Sequence, residues 1–212
     1  GKIHNKTIDK ELDWPLGRRK QSVIDKANRQ LDHLSNVLSE RGITVLRPDP
    51  IDFNKTIMSP DWTIPNMFCC TCPRDVMITI GHDILEATLS KRGRFFEYLP
   101  YRDIMYKLWD EDPAMKWKAA PKPSMNASMY WEGFWDRYKE FDLKSPAEQE
   151  AFLREYKFVL NESEIAFDAA DITRCGRDIF IHHSLTANRK AAQWLAIELE
   201  GYVRVHVLHF PD

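Results

Sequence analysis

Three aspartates sit where two strand-like segments begin. Asp75 follows Cys72-Pro73-Arg74 and opens the run toward Ile80, while Asp168 and Asp171 stand in FDAAD, ahead of ITRC. If the two strands belong to like units arranged about a common axis, their ends converge and the carboxylates face one cleft. Such a cleft suits a planar cation, because a guanidinium carries five N–H donors in a rigid fork and a carboxylate accepts two of them side by side. A plainer reading exists for the same residues. Asp75 caps a turn or pairs with Arg74, and Asp168 and Asp171 cap a loop. The residues alone leave both readings open.

Other reactive side chains carry weaker signals. His182 and His183 follow a strand, and neighbours on a strand face opposite ways, so at most one of them enters a site. A surface or packing role is the default for both. His206 and His209 have odd spacing on the last strand and so also point apart. The chain has four cysteines. Three crowd into CCTC as Cys69, Cys70 and Cys72, and the fourth is Cys175. Adjacent cysteines rarely pair, so no disulfide framework is expected. A zinc site would need two separated ligand pairs, which CCTC does not supply, so no metal is expected. Small, soft residues in a partly buried turn are the ordinary reading. No local context marks any of the four as a nucleophile, and no GxSxG, P-loop or GxGxxG string is present.

The elements that must position these groups repeat. Ile24, Ala27, Leu31, Leu34 and Leu38 follow helical spacing, Gly42 stands where a C-terminal cap belongs, and ITVLRP (Ile43 to Pro48) reads as a short strand leaving through proline. The same order returns at the end, with Ala192, Leu195 and Leu199, then Gly201, then the strand Tyr202 to Phe210 and Pro211. A third copy lies between them: a helical pattern from Arg94 to Asp112, interrupted at Pro100, followed by KWKAAP (Lys116 to Pro121). Two copies have a hairpin in front. RDVMITI (Arg74 to Ile80) turns at Gly81 into Asp83-Ile84-Leu85, and DITRC turns at Gly176 into Asp178-Ile179-Phe180. The unit is therefore strand, strand, helix, strand, and a fixed order with weak identity is how repeat architectures show in sequence. The division is 16–53 for the end of one unit, 72–123 for a complete unit, 124–156 for an insertion and 157–212 for a second complete unit. The insertion, which includes MYWEGFWDRY, reads as one or two helices, either a surface lid or a packing excursion.

Composition excludes several classes. The 212 residues are 43% hydrophobic, with seven tryptophans, enough for a packed core. A net charge of −2 gives no basic footprint for nucleic acid. No apolar run is long enough for a bilayer, so no membrane partner is expected. Residues Gly1 to Pro15 are polar, unlike a secretory signal, and the chain reads as cytoplasmic.

Longer strings bring a family into view. VLRPDPIDF (Val45 to Phe53), CPRDV (Cys72 to Val76), RGRFFEYLPYR (Arg92 to Arg102), WKAAPKPSM (Trp117 to Met125), FDAADITRCGRDIF (Phe167 to Phe180) and YVRVHVLHF (Tyr202 to Phe210) stand in an order that resembles the glycine amidinotransferase family and its bacterial relatives, including enzymes of cyanobacterial toxin pathways. The resemblance runs from about Lys26 to Asp212 and is weakest from Asn126 to Glu155.

The resemblance implies an α/β pentein fold, five strand-strand-helix-strand units about a pseudo-fivefold axis, with only about half of the units present. It also implies transfer of an amidino group from L-arginine to an acceptor amine through a covalent amidino-cysteine, releasing ornithine, with no metal and no organic cofactor. Residue by residue, it makes Asp168 the carboxylate that orients the catalytic histidine and Asp75 a residue that grips the arginine guanidinium, with Asp171 structural. In that family the histidine follows the strand matching YVRVHVLHF and the nucleophilic cysteine comes later. The four cysteines here do not align with it, so the expectation is a piece of a longer enzyme, inactive by itself. Glycine or a secondary-metabolite precursor is the expected acceptor, and a homodimer is an allowed assembly. Two other readings are carried forward: an arginine deiminase-like hydrolase and a non-catalytic guanidinium-binding module.

Overall fold

The computed structural model describes residues 19–67, 69–131, 144–154 and 160–209. Its first element is helix α1 (Gln21–Ser39), where the sequence places it. Gly42 closes the helix with φ +75°, a left-handed conformation that costs glycine nothing, and the Ile43 amide returns to the Leu38 carbonyl at 3.1 Å. The expected strand from Ile43 to Pro48 does not form, and this stretch runs as irregular chain with Ile43 about half exposed. A strand exists only as part of a ladder, and no ladder partner lies beside it among the described residues.

A short antiparallel pair follows, β1 (Ile57–Met58) with β2 (Thr63–Ile64), which the sequence did not announce. Next comes α2 (Pro73–Val76), a single helical turn, and then β3 (Met77–Ile80). The expected strand over Arg74–Ile80 is thus shorter by three residues. Pro73 occupies the first turn, where its missing N–H costs nothing, and the Asp75 amide bonds the Cys72 carbonyl at 3.0 Å, which curls Arg74–Val76 into helix.

The two repeat units are built alike. In the first, β3 pairs antiparallel with β4 (Asp83–Glu86) across the two-residue loop Gly81-His82, and β5 (Lys116–Ala119) returns parallel to β4 after α3 (Arg102–Glu111). Helix α4 (Pro146–Arg154) lies in the insertion, with Ser145 and Glu148 forming a capping box, the Ser145 amide and hydroxyl both reaching Glu148 Oε2. Residues 132–143 of the insertion, and residues 155–159 of the run toward Leu160, lie outside the described residues. In the second unit β6 (Ile172–Cys175) pairs antiparallel with β7 (Asp178–His182) across Gly176-Arg177, and β8 (Arg204–Leu208) returns parallel to β7 after α5 (Arg189–Glu198). Gly81 and Gly176 have φ of +61° and +60°, which explains glycine at both tight turns. Each unit is strand, strand, helix, strand, as its pattern indicates.

Alternation along the strands directs one face inward. Ile78 and Ile80 of β3, and Ile179 and Ile181 of β7, are buried, and they join Leu85, Leu89, Phe167, Ile172, Leu195 and Leu199 in one core that spans both units. Burying such a side chain contributes about 1.5–3 kcal/mol, so the two units stand or fall together. A second cluster joins Trp62 and Ile64 to Met125, Met129 and Tyr130 at the start of the insertion and to Leu160 after it. Arginines also cross between units. Arg74 donates to the carbonyls of Ala169 and Ile172, and Arg174 donates to that of Thr79.

Helix α1 stands apart from this core, since none of its residues is buried and Val23, Leu31 and Leu34 are at least half exposed. An uncovered apolar stripe on a 19-residue helix promotes association. The chain is therefore expected to sediment as more than a monomer at micromolar concentration, and Leu31→Glu with Leu34→Glu should shift it toward monomer. A wild-type chain that stays monodisperse and monomeric in analytical ultracentrifugation would contradict this. None of the described helices is long and apolar enough to cross a membrane.

Candidate functional site

The turn after β4 meets the entry to β6, and the candidate carboxylates collect there. Thr88 and Phe167 exchange hydrogen bonds: the Phe167 amide donates to Thr88 Oγ1 at 2.9 Å, and Thr88 Oγ1 donates to the Phe167 carbonyl at 3.3 Å. The Leu89 amide then bonds the same carbonyl at 3.0 Å. Leu89 is fully buried and has φ of +61°, a left-handed conformation that a branched side chain adopts only when its surroundings force it. That bend delivers Ser90 to Asp168, where the Ser90 amide and hydroxyl both reach Asp168 Oδ1, at 3.2 and 3.3 Å.

Arg94 is the centre of the site. It lies at the end of a 3-10 turn (Arg92–Arg94), and its guanidinium is nearly buried between three carboxylates. Nη1 donates to Asp168 Oδ2 at 2.7 Å, Nη2 to Asp75 Oδ2 at 2.9 Å, and Nε and Nη2 hold Glu97 Oε2 at 3.0 and 2.8 Å. Glu97 is itself buried, and its Oε1 accepts the Cys69 amide at 3.3 Å. Asp75, on α2, keeps the most solvent contact of the four, with its side chain 23% exposed.

The structure thus brings Asp75 and Asp168 together from two units. Neither simple local alternative describes them: Asp75 pairs with Arg94 while Arg74 turns to backbone carbonyls, and the Asp168 carboxylate makes no cap of its own turn. Asp171 faces its own unit, where the Ser184 and Thr186 hydroxyls donate to it at 2.9 and 2.7 Å. Arg94 and Glu97 stand inside the string RGRFFEYLPYR, and sequence reasoning missed them as site residues. The available signal was an arginine three positions before a glutamate within an aromatic run, which is compatible with a solvated helix pair as well.

Electrostatics follow from burial. Desolvation pushes the Asp168 carboxyl up to about 7, against the pull of Arg94 in the other direction. Burial also raises Glu97 and Asp171. Arg94 is held firmly protonated, because Glu97, Asp168 and Asp75 together outweigh its own desolvation. Three acids face one guanidinium, so a surplus of negative charge, which favours a further cation, develops as Asp168 ionises with pH rising through about 7.

Cys69 and Cys70 lie at the edge of this cluster, and all four cysteines are free thiols. Burial raises the Cys70 thiol, with Cys69 and Glu97 adding to it, which is the wrong direction for a thiolate nucleophile. Tyr101 donates to the Cys70 carbonyl, and Cys175 is exposed at the β6–β7 turn.

His183, His206 and His209 each lie against another ring. His206 stacks on Phe180 with ring centroids 5.0 Å apart and lies 2.7 Å from Asp178. His183 is buried edge-on to His209, with Nε2 3.4 Å from Glu162, whose carboxylate also receives the Arg189 and Lys190 amides at the start of α5. Desolvation lowers His183 to about 4. A base whose folded pKa lies below its unfolded value contributes full stability above about 6.5 and loses it as pH falls toward 4. His183→Gln is therefore expected to flatten the loss of stability between those pH values in urea titrations. An unchanged slope would contradict a buried neutral imidazole.

No protein-family model matches the chain. It is 35% identical to the mitochondrial glycine amidinotransferase of Gallus gallus over 189 residues, which is 89% of this chain and 42% of that protein. It is 32% identical to the L-arginine:L-lysine amidinotransferase of Pseudomonas savastanoi pv. phaseolicola, over 91% of this chain and 49% of that one. Among solved structures, an amidinotransferase of the saxitoxin biosynthetic pathway from Microseira wollei superposes with a TM-score of 0.77 at 33% identity, covering 91% of this chain and 52% of that chain. The inosamine-phosphate amidinotransferase of Streptomyces griseus gives 0.68 at 28% identity, covering 89% and 47%. The chain spans about half or less of the length of these relatives. The repeated strand-strand-helix-strand architecture is that of the pentein fold.

Proposed function

Taking as premise that this chain is a relative of the amidinotransferases, matching a segment of their length, we propose that it supplies the carboxylate side of an amidino-transfer site. The observation that carries the reading is the meeting of Asp75 and Asp168, from different units, on the single guanidinium of Arg94. Asp75 gives one oxygen to Arg94 and keeps its side chain 23% exposed, so its carboxylate remains reachable by a second guanidinium.

In this reading Asp75, the more exposed carboxylate, grips the guanidinium of L-arginine. Asp168 orients a histidine that moves protons, as the carboxylate does in other triads. A cysteine thiolate attacks the guanidinium carbon, the C–N bond to ornithine breaks, and the leaving amine takes a proton from the histidine. The acceptor amine then forms a bond to the amidino carbon, gives a proton back to the histidine, and the C–S bond breaks to return the thiolate. Neither the nucleophile nor the histidine is assigned to this chain: the Cys70 thiol is raised by burial, and His183 and His206 are engaged in packing and ion pairs away from Asp168. No metal or organic cofactor enters the reading. Glycine, lysine or a precursor in a secondary-metabolite pathway is the acceptor, in a cytoplasmic enzyme.

The test uses guanidino-labelled L-arginine with glycine or lysine. The enzyme carrying this segment at the length of its relatives is expected to release ornithine and move the label to the amine. The 212-residue chain by itself is expected to release none. Citrulline in place of a guanidino product would overturn transfer in favour of hydrolysis, and ornithine from the chain alone would overturn the division of labour.

A further inference from the structure

Both proposed working carboxylates share one partner that does not itself need to touch a substrate. Asp168, when ionised, offers about four acceptor positions. Three are taken, by the Ser90 amide, the Ser90 hydroxyl and Arg94 Nη1. Asp75 gives Oδ2 to Arg94 Nη2, and no donor among the described residues reaches its Oδ1. Arg94 is in turn fixed along its other edge by Glu97, and Glu97 is anchored by the Cys69 amide.

We propose that Arg94 is a positioning residue shared by the two halves of the site, pinning one oxygen of Asp75 and one of Asp168 so that Oδ1 of Asp75 faces an incoming guanidinium and one acceptor position on Asp168 remains for an imidazole N–H. The roles of those two groups rest on the proposed amidino transfer; the pinning itself does not. The planar fork matters as much as the charge. Nη1 and Nη2 diverge to two carboxylates 93 positions apart in sequence while Nε holds a third, and a lysine ammonium cannot reproduce that spread. Glu97 keeps the fork from swinging toward solvent and is part of the same device.

The experiment follows carboxyl resonances of Asp75 and Asp168 by NMR in the 212-residue chain with carboxyl-labelled aspartate, as pH is varied. Arg94→Gln is expected to move both carboxyl resonances together, since each loses an oxygen's hydrogen bond to the same guanidinium. Ser90→Ala, which touches Asp168 alone, is expected to move Asp168 and leave Asp75 in place. Arg94→Lys restores a charge without the fork and should leave at least one aspartate at its Arg94→Gln position. If Arg94→Gln fails to fold, Glu97→Gln supplies the test: the guanidinium loses the carboxylate that fixes its other edge, and both carboxyl resonances should again move together. Movement of one aspartate alone in Arg94→Gln or Glu97→Gln, or recovery of both by lysine, overturns the proposal. None of these readouts requires turnover, so an absence of label transfer would remove the amidinotransferase reading and leave this result standing.

Discussion

On the proposed reading, Asp168→Asn in a protein that carries this segment at its relatives' length should reduce amidino transfer by about ten-thousand-fold, the size of effect seen when a triad carboxylate is replaced by its amide. The amide keeps the size of the side chain but cannot hold an imidazolium or fix its tautomer, so arginine binding through Asp75 should change far less than turnover. The same substitution has a signature in the chain alone. The Asp168 carboxyl is raised to about 7 by burial, so the folded state binds a proton more readily than the unfolded state between about 4 and 7. Stability contributed by the protonated form is full below the unfolded value and is lost as pH rises through 7. An amide, which does not titrate, removes that slope. Urea titrations from pH 4 to 7.5 provide the measurement. An equal slope in wild type and variant would show that Asp168 is ionised throughout, and a loss of activity below tenfold would remove it from the reaction. His183 acts in an overlapping window with the opposite sign, so the two effects are separated only by making each substitution singly.

Arg94→Met is expected to cost about 3–5 kcal/mol of stability, as when one partner of a buried ion pair is removed. Methionine fills much of the volume but leaves Glu97 and Asp168 buried without their counter-charge and Asp75 partly so. Glu97 and Asp168, already raised by burial, should then take up protons more readily, and the variant should be least stable at high pH and recover as pH falls. Chemical denaturation at pH 5 and pH 8 reads both the loss and its direction. A cost below about 1 kcal/mol, the range of exposed ion pairs, would mean that the cluster is solvated. Lys107–Glu111, an exposed pair on α3 at 3.9 Å, serves as the control: Lys107→Met should be nearly neutral.

Much of the fold was legible in the sequence because its signals are local. Helical spacing in Gln21–Ser39, strand alternation at Ile179 and Ile181, and the turn glycines Gly81 and Gly176 each act within a few residues of chain. The order of those signals gives the repeat. Where a signal was local but its structure was not, the reading failed. Ile43 to Pro48 has strand composition, yet a strand is a pairing, and the described residues offer it none. The helical turn at Pro73–Val76 went the other way, since proline and one backbone hydrogen bond outweighed the strand pattern of the following residues.

The sequence by itself determined the unit, the family resemblance, and the two aspartates worth watching. Tertiary structure decided what joins them. Arg94 is 74 positions from Asp168 and belongs to another unit, so nothing in the spacing of either segment shows the contact. It arises because the Leu89–Ser90 bend and the Phe167–Asp168 entry exchange backbone and hydroxyl hydrogen bonds, which bury the carboxylate beside the guanidinium. Burial then sets the chemistry. On an exposed face Asp168 and Glu97 would titrate as ordinary acids, and packed beside Arg94 both are raised by burial.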